Sequence, residues 1–349
     1  MSKLNKLCAA AASAVALMAT GASAQMNLSA ETAGQGGVPG TVMSHLAEAS
    51  AAAGVANIQV QYGQTLTNSV QNVAEGKTDI TGAPLVLPFL LSKGRGPYSK
   101  LGADAGAELA SNLRVLYTYS YGFYTLYAYD SVGLKGWDDI KGRKVYNGPP
   151  RGAALVQARA VTQLITGLKD GDDYEGVQVN WAQDVKTITD GSAAAMVLPT
   201  TFPDRRVTAG LASGKMTVWS IPKDKFESEA MKKYMSSPGN APFTLKISES
   251  GFSDDVTVVS DDDMIRTSAI AGSDVVHKDM DFDTAKALTA AFIATIPDLK
   301  AKVPWGGNVG LGVETVPESG MCGALEIKYH PGAVAAWEEA GFQIPDCAK

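Results

Sequence analysis

The chain has 349 residues, with 30 basic and 36 acidic side chains and a formal net charge of −6. An acidic chain with scattered lysines is a poor binder of nucleic acids and of anionic membranes, so we expect neither as a partner. The length is sufficient for two domains, each with a core of its own.

The N-terminal segment, residues 1–24, has the pattern of a secretory signal peptide. It has a basic start with two lysines, an apolar stretch over 7–20 and the cleavage-site sequence Ala-Ser-Ala at 22–24. We therefore expect an exported, periplasmic protein that begins near Gln25. No run of 18 apolar residues follows, so we expect no insertion into the membrane.

The two cysteines that follow this segment, Cys322 and Cys347, predict a disulfide. An even pair in an oxidising compartment usually forms a bond, which here would tie the C-terminal tail to an earlier loop. The alternative is a pair of unbonded, buried thiols.

The rest of the chain alternates strand-like and helix-like stretches. Short apolar and β-branched runs predict strands at 26–32, 57–62, 78–83, 142–148, 176–181, 193–198 and 216–222. Ala-rich segments predict helices at 41–54, 65–76, 154–167, 182–191, 203–214 and 284–299, the last with Asp283 as its N-cap. Residues 112–132 are rich in aromatic and β-branched side chains and predict one long extended segment. The alternation indicates βα units in mostly parallel sheets, arranged as two lobes with a cleft.

Motifs for catalysis and for cofactor binding are incomplete. Neither G-x-S-x-G nor H-E-x-x-H occurs, and the three histidines are far apart in the sequence. The turn at 33–40 resembles a dinucleotide-binding loop, but Pro39 takes the third glycine position and the acidic ribose partner is missing. The acidic spacing at 279–283 begins a calcium loop that lacks its glycine and its last glutamate. We expect no catalytic residue, metal or cofactor.

Arg151 is a long cation in the glycine- and proline-rich turn "NGPPRG", between a predicted strand and a predicted helix. A guanidinium presents a planar fork of donors that matches a carboxylate, and N–H groups at a helix start add to the attraction. Arg151 is therefore a candidate for binding an anion. The alternatives are a surface arginine or a partner for a structural acid such as Glu31.

Two further groups are candidates for a binding site. The turn that contains Gly34, Gly36 and Gly37 presents backbone N–H groups at a predicted helix start, although it also fits a plain tight turn. Tyr119 and Tyr121, in the long extended segment, offer a pocket wall with hydroxyl groups, although packing within a strand explains them equally.

Five segments, read in order, resemble the TAXI family of solute-binding proteins, which serve tripartite ATP-independent periplasmic (TRAP) transporters. The most specific of them is the last, in which His-Pro-Gly-Ala is followed by an aromatic residue, an acid and Gly. The segments cover residues 33–40, 64–80, 130–152, 188–207 and 329–342.

The resemblance implies an α/β, two-lobed periplasmic-binding-protein fold of the second type, with a ligand cleft between the lobes. We place lobe I at 25–120 plus 222–349 and lobe II at 121–221. The resemblance also implies that His330 is a structural turn that docks the last helix, with Trp337 packed inward.

The function that the resemblance implies is capture of a small organic anion by lobe closure and its delivery to a TRAP-type membrane permease, by a monomer that is not an enzyme. We expect the ligand to be a carboxylate or to resemble an amino acid. Two alternatives stay open: a periplasmic ligand sensor for a membrane receptor, and an exported enzyme on the same scaffold. With the two tyrosines, the implied ligand-binding positions are Gly34, Gly36, Gly37, Thr65, Asn68, Tyr119, Tyr121, Gly148, Arg151, Gly152, Thr200, Thr201 and Phe202.

This sequence departs from the family pattern in three places. The aromatic pair usual after the first glycines is replaced by Val-Pro-Gly, Arg151 replaces a small residue, and Ala194 stands where an acid is usual. Arg151 nevertheless favours a carboxylate as the ligand.

Overall fold

A computed structural model describes residues 26–150, 153–311, 321–322 and 325–349. The predicted signal peptide and the predicted site residues Arg151 and Gly152 lie outside the described residues. The strands are β1 Met26–Glu31, β2 Ala56–Gln61, β3 Ile80–Pro84, β4 Leu113–Tyr129, β5 Lys144–Tyr146, β6 Glu175–Val177, β7 Ala195–Thr200, β8 Met216–Trp219, β9 Asn240–Lys246, β10 Val256–Val259, β11 Met264–His277 and β12 Lys328–Tyr329.

The α-helices follow the strands in the alternation that the sequence predicts, with four helices, α3, α4, α8 and α9, that the pattern did not reveal. They are α1 Val38–Ala52, α2 Leu66–Ala74, α3 Val86–Ser92, α4 Gly102–Ser111, α5 Ala153–Thr166, α6 Asp184–Thr189, α7 Arg205–Gly210, α8 Lys223–Phe226, α9 Glu229–Met235, α10 Phe282–Lys302 and α11 Pro331–Glu339. None of the described helices is long and apolar enough to cross a membrane.

The main path of the sheet runs in the order β2-β1-β3-β11-β4-β7-β5-β6. At one end β1 pairs in parallel with β2 and β3, and at the other β5 pairs in parallel with β6 and β7. In the middle the long strands β4 and β11 are antiparallel to each other and to β3, β7, β8 and β9. The prediction of mostly parallel pairing is right for the βα units and wrong for the centre. The reason is that β4 and β11 run in opposite directions through the middle of the sheet, so their pairing with each other is antiparallel.

The α/β fold class is confirmed, and the hydrophobic core divides as a two-lobed fold requires. One large cluster takes residues from Leu28 to Phe123 and from Ala241 to the C-terminus, and Phe202 joins it. Two smaller clusters are built mainly from residues 124–235. Along β4 the core contacts change between Phe123 and Tyr124, close to the predicted crossing at residue 120. The lobe boundaries themselves remain a prediction.

The long helix α10 begins two residues earlier than the N-cap prediction places it. The carboxylate of Asp281 accepts the backbone N–H of Thr284 at 2.9 Å and its hydroxyl at 3.0 Å, so Asp281 is the N-cap. The prediction of Asp283 is therefore wrong. Asp283 lies in the first turn instead, where a negative charge still favours a helix N-terminus.

The predicted structural role of His330 is confirmed. Its Nδ1 accepts the N–H of Gly332 at 3.1 Å and caps α11, so its protonated Nε2 donates to the carbonyl of Met280 at 2.9 Å. Gly332 is required because a Cβ there would overlap the carbonyl oxygen of Phe282. Trp337 is fully buried and donates its indole N–H to the carbonyl of Leu116 at 3.0 Å, which fixes the last helix to β4.

The predicted disulfide is also present, between Cys322 and Cys347, with 25 residues of sequence separation. We expect replacement of both cysteines by serine to lower the free energy of unfolding by about 3 kcal/mol, because the crosslink restricts the unfolded chain. Urea unfolding of the two proteins measures the difference. Titration of the unfolded, unreduced exported protein with a thiol reagent serves as the control and should find no free thiol. Equal unfolding curves would show that the bond contributes nothing.

Candidate ligand-binding cleft

A β-bulge at Tyr121 shapes the middle of the sheet. On β11, Ile270 lies opposite Gly122 and Ala271 lies opposite Ser120, so Tyr121 is the extra residue of β4. Gly122 has a φ of 151°, and a Cβ there would lie 3.0 Å from backbone atoms of Pro199 and Thr200. Only glycine fits such a position without strain, and the bulge redirects the side chain beside it.

The ring of Tyr121 lies over two glycines of the neighbouring strands. A Cβ on Gly272 would overlap the ring, and a Cβ on Gly82 would lie 2.7 Å from the hydroxyl oxygen. The same Gly82 position is 3.5 Å from Cβ of Pro39, in the first turn of α1. The half-buried Tyr121 therefore places its hydroxyl near Pro39, in the first turn of the helix that follows the glycine turn.

The glycine turn at residues 34–37 leads directly into α1. Gly37 is the N-cap, its N–H donates to the carbonyl of Gly34 at 3.1 Å, and Pro39 fits the first turn because that position needs no N–H acceptor. Gly34 and Gly37 are half-buried and Gly36 is exposed. A Cβ on Gly36 would lie 3.4 Å from Nε of Arg205. Arg205 therefore lies close to Gly36, which brings residues of the two predicted lobes near each other.

Arg205 is a site residue that the sequence analysis missed. It opens α7, forms an ion pair with the buried Asp184, and keeps 48% of its side chain exposed. Its neighbour Arg206 is buried instead and donates from Nε and Nη2 to the two oxygens of Asp204, at 2.9 Å each. Burial alone would raise the pKa of Asp204, but the guanidinium of Arg206 holds it below the usual value. Arg206 therefore stabilises the turn, whereas Arg205 extends to the glycine turn.

The predicted positions Thr200, Thr201 and Phe202 border this region, with their side chains turned inward. The Thr200 hydroxyl donates to the carbonyl of Phe123 at 2.9 Å, and that of Thr201 donates to the carbonyl of Pro203 at 2.7 Å. Phe202 is fully buried and stacks on Phe123 with ring centroids 5.2 Å apart. These residues hold the turn before Arg205 against the larger core cluster.

The predicted positions on α2 lie next to the glycine turn. Thr65 is the N-cap of α2, and both it and Asn68 are exposed. The loop before them is fixed to the start of the turn, because the N–H groups of Gly63 and Gln64 donate to the carbonyls of Ala33 and Thr32 at 3.1 and 3.0 Å.

Gly148 follows β5 with a φ of 103°, which favours glycine. A Cβ there would lie 3.4 Å from Cβ of Ala154, so Gly148 packs against the start of its own helix. No described contact joins it to the other predicted positions. Glu31, the alternative partner of Arg151, accepts from Thr78 Oγ1 at 2.8 Å and from Asn72 Nδ2 at 3.1 Å.

Behind Tyr121 lies a buried carboxylic acid, Asp274, which the sequence analysis also missed. The hydroxyls of Tyr117 and Tyr119 each donate to it at 2.7 Å, so the predicted site residue Tyr119 is fully buried and bonded to Asp274. The hydroxyl oxygens of Tyr119 and Tyr121 are 3.4 Å apart. Burial raises the pKa of Asp274 to about 7, and the two tyrosine hydrogen bonds only partly offset that rise.

Two cavities lie away from these residues. One, of about 160 Å³, is lined by Phe89 and Leu325 among others, and the second, of about 240 Å³, lies beside Phe226 and Met235. Neither contains a predicted site residue. No group of His, Cys, Asp and Glu side chains within the described residues is arranged to hold a metal ion.

Comparison with models of known protein families identifies the family of this chain. A model of the NMT1-like family matches residues 31–341, which is most of the sequence. The chain belongs to the NMT1-like family. No curated protein matches it.

Similar solved structures are distant. The periplasmic aliphatic sulphonate binding protein SsuA of Escherichia coli is 14% identical, with a TM-score of 0.37 over 55% of this chain and 58% of that one. A protein of Bordetella bronchiseptica RB50 is 16% identical, with a TM-score of 0.46 over 93% and 92%. A TRAP solute-binding protein of Desulfovibrio salexigens, in complex with diglycerolphosphate, is 12% identical, with a TM-score of 0.46 over 92% of each chain. The chain thus spans less than two thirds of SsuA, and these likenesses carry no argument about its ligand.

The raised pKa of Asp274 predicts how stability changes with pH. The folded protein holds this proton up to about pH 7, whereas an unfolded aspartate loses it near pH 4. The folded state therefore binds more protons in this window, and its stability falls as pH rises through it. Relative to the wild type, we expect Asp274→Asn to gain about 2–3 kcal/mol in unfolding free energy between pH 5 and 8, as measured by urea unfolding. Asp138→Asn, at an exposed site, should follow the wild type. Parallel curves for Asp274→Asn and the wild type would contradict the prediction.

Proposed function

We propose that this member of the NMT1-like family is a periplasmic solute-binding protein that captures a small organic anion between two lobes and delivers it to a TRAP-type permease. The contact of Arg205 with the glycine turn carries this proposal. It brings a half-exposed guanidinium from predicted lobe II to a helix start in predicted lobe I, beside the hydroxyl of Tyr121. These groups are donors that suit a carboxylate or another oxyanion.

The arrangement also supports capture by closure. An anion that contacts both Arg205 and the glycine turn touches residues from both predicted lobes, so it favours the state in which they approach each other. In the predicted division the chain passes between the lobes within β4, near Ser120, and again near Ile221, and β4 pairs with β11 of lobe I at the bulge. The TAXI-like segments of the sequence support a TRAP permease as the membrane partner.

A ligand screen tests this function. We expect at least one of succinate, L-glutamate and ethanesulfonate to raise the melting temperature of the protein in a saturable way, because a ligand that binds only the folded state stabilises it. Glycerol serves as the uncharged control. Native mass spectrometry of freshly purified protein checks for a small anion that copurifies. If no anion shifts the melting temperature and nothing copurifies, the proposal is wrong.

Arg205 is the side chain that the proposal depends on most. We expect Arg205→Gln to weaken binding of the best anion of that screen by about 30-fold, or about 2 kcal/mol, and Arg205→Lys to restore only part of it, since an ammonium lacks the planar fork. Calorimetry measures the affinities. Arg151→Ala, tested in parallel, measures the contribution of the arginine that the sequence analysis singled out.

Arg159→Gln is the matched control for Arg205. Arg159 has 47% of its side chain exposed and also pairs with a largely buried acid, Asp170, but no described contact links it to the glycine turn. It should keep the wild-type affinity. An equal loss in both variants would mean that Arg205 acts through folding alone and does not contact the anion.

A further inference from the structure

The buried acid behind the cleft is connected to the cleft surface by tyrosine hydroxyls. We propose that Asp274 controls the direction in which the Tyr121 hydroxyl donates, and thereby couples anion binding to the uptake of one proton. This inference rests on the proposed function and names a positioning residue for it. Asp274 does not contact the cleft itself, because it is fully buried and acts through Tyr119.

The geometry forms a short chain of polar atoms. Oδ1 of Asp274 is 2.7 Å from the Tyr119 hydroxyl, which is 3.4 Å from the Tyr121 hydroxyl. The Tyr121 hydroxyl is also 3.3 Å from the carbonyl oxygen of Ser273. Of the three side chains that form this hydrogen-bonded series, Asp274, Tyr119 and Tyr121, only Tyr121 is partly exposed. Among these hydrogen-bonded groups, a change at Asp274 therefore reaches the cleft through the Tyr121 hydroxyl.

The number of protons decides which way each hydroxyl points, because a phenol has a single proton to donate. When Asp274 is ionised, Tyr117 and Tyr119 both donate to it. Tyr121 then donates inward, to the oxygen of Tyr119 or of Ser273, and turns its lone pairs to the cleft. Lone pairs repel an anion.

When Asp274 takes up a proton from the solvent, its own O–H donates to the oxygen of Tyr119. The Tyr119 proton then turns to the oxygen of Tyr121, and the Tyr121 O–H points into the cleft as a donor. No other bond forms or breaks, and at most one proton enters for each anion bound. The neutral acid therefore favours an anion in the cleft, and the ionised acid disfavours it.

The side chains around Asp274 do not fix its protonation state through a charged partner. Strand β4 contributes Tyr117, Tyr119 and Tyr121, β3 contributes only Gly82 opposite the acid, and α2 has no titratable residue. From α10, Phe292 stacks on Tyr117 at 3.6 Å, and His45 of α1 lies against that phenylalanine, with ring centroids 6.3 Å apart. No lysine or arginine of the described residues forms an ion pair with Asp274. Because the pKa of this acid is about 7, its charge changes within the physiological range.

Calorimetry across pH tests the coupling, with succinate, L-glutamate and ethanesulfonate as probes in buffers of different ionisation enthalpy. For an anion that binds, we expect uptake of about half a proton near pH 7.5, because Asp274 is then mostly ionised in the free protein and mostly protonated in the bound one. We also expect affinity to fall about tenfold between pH 6 and 8.5, which is the effect of one unit of pKa difference between free and bound protein. Asp274→Asn should bind without proton uptake and with constant affinity over this range.

Two tyrosine variants separate the proposed chain from a simple charge effect. Tyr117→Phe and Tyr119→Phe each remove one 2.7 Å hydrogen bond to Asp274, but only Tyr119 lies next to the Tyr121 hydroxyl. We expect Tyr119→Phe to lose most of the pH dependence of affinity and Tyr117→Phe to keep it. Both are expected to fold, because each loses one oxygen atom and keeps its ring.

Each remaining outcome is decisive. Equal pH dependence in the two tyrosine variants, or pH dependence that survives in Asp274→Asn, would overturn the role of Asp274. Anion binding that does not vary with pH in the wild type would overturn the coupling and leave the proposed function intact. Absence of binding by every probe at every pH would contradict the proposed function, and the coupling with it.

Discussion

Strands β4 and β11 run side by side through the middle of the sheet, and their buried backbone groups all need hydrogen-bond partners. Two bulges interrupt that pairing, one at Tyr121, which Gly122 makes possible, and one at Leu116. Tyr121 follows Tyr117 and Tyr119 at alternate positions of β4, and its ring lies over Gly82 and Gly272, where a larger residue would not fit. The candidate cleft depends on this close approach of Tyr121 to the two glycines, and on the hydroxyl of Tyr119 that links Tyr121 to Asp274.

The fold was largely predictable because its elements follow local periodicity. The alternation of apolar strands and Ala-rich helices, the long extended segment that became β4, and the structural turn at His330 are all visible within short windows of sequence. The errors arise where local signals are ambiguous. Asp281 and Asp283 are both good N-caps, and the choice depends on which carboxylate reaches the N–H of Thr284.

The candidate site was less predictable because its contacts join distant parts of the chain. Arg205 appears in the sequence as one of two adjacent arginines at a helix start, and only the folded chain shows that Arg206 is buried while Arg205 reaches Gly36. Asp274 appears as one acid in an apolar strand. Its two tyrosine partners lie about 155 residues earlier in the sequence and meet it only when β4 pairs with β11. An acid within an apolar strand nevertheless indicates that polar partners lie nearby in the fold, because burial of an acid without hydrogen-bond partners is costly.

The charges near the cleft are balanced, so the proposed anion must be recognised by the directions of individual hydrogen-bond donors and not by net positive charge. The whole chain has a net charge of −6, so long-range attraction does not draw an anion to it. Near the cleft, Arg205 and Arg206 are already opposed by Asp184 and Asp204, which leaves no excess positive charge. An anion there gains only from donors that remain free in the right directions: part of the Arg205 fork, the helix start after Gly37 and the Tyr121 hydroxyl. Because the first two are fixed by the fold, the hydroxyl is the one donor whose direction a proton on Asp274 can change.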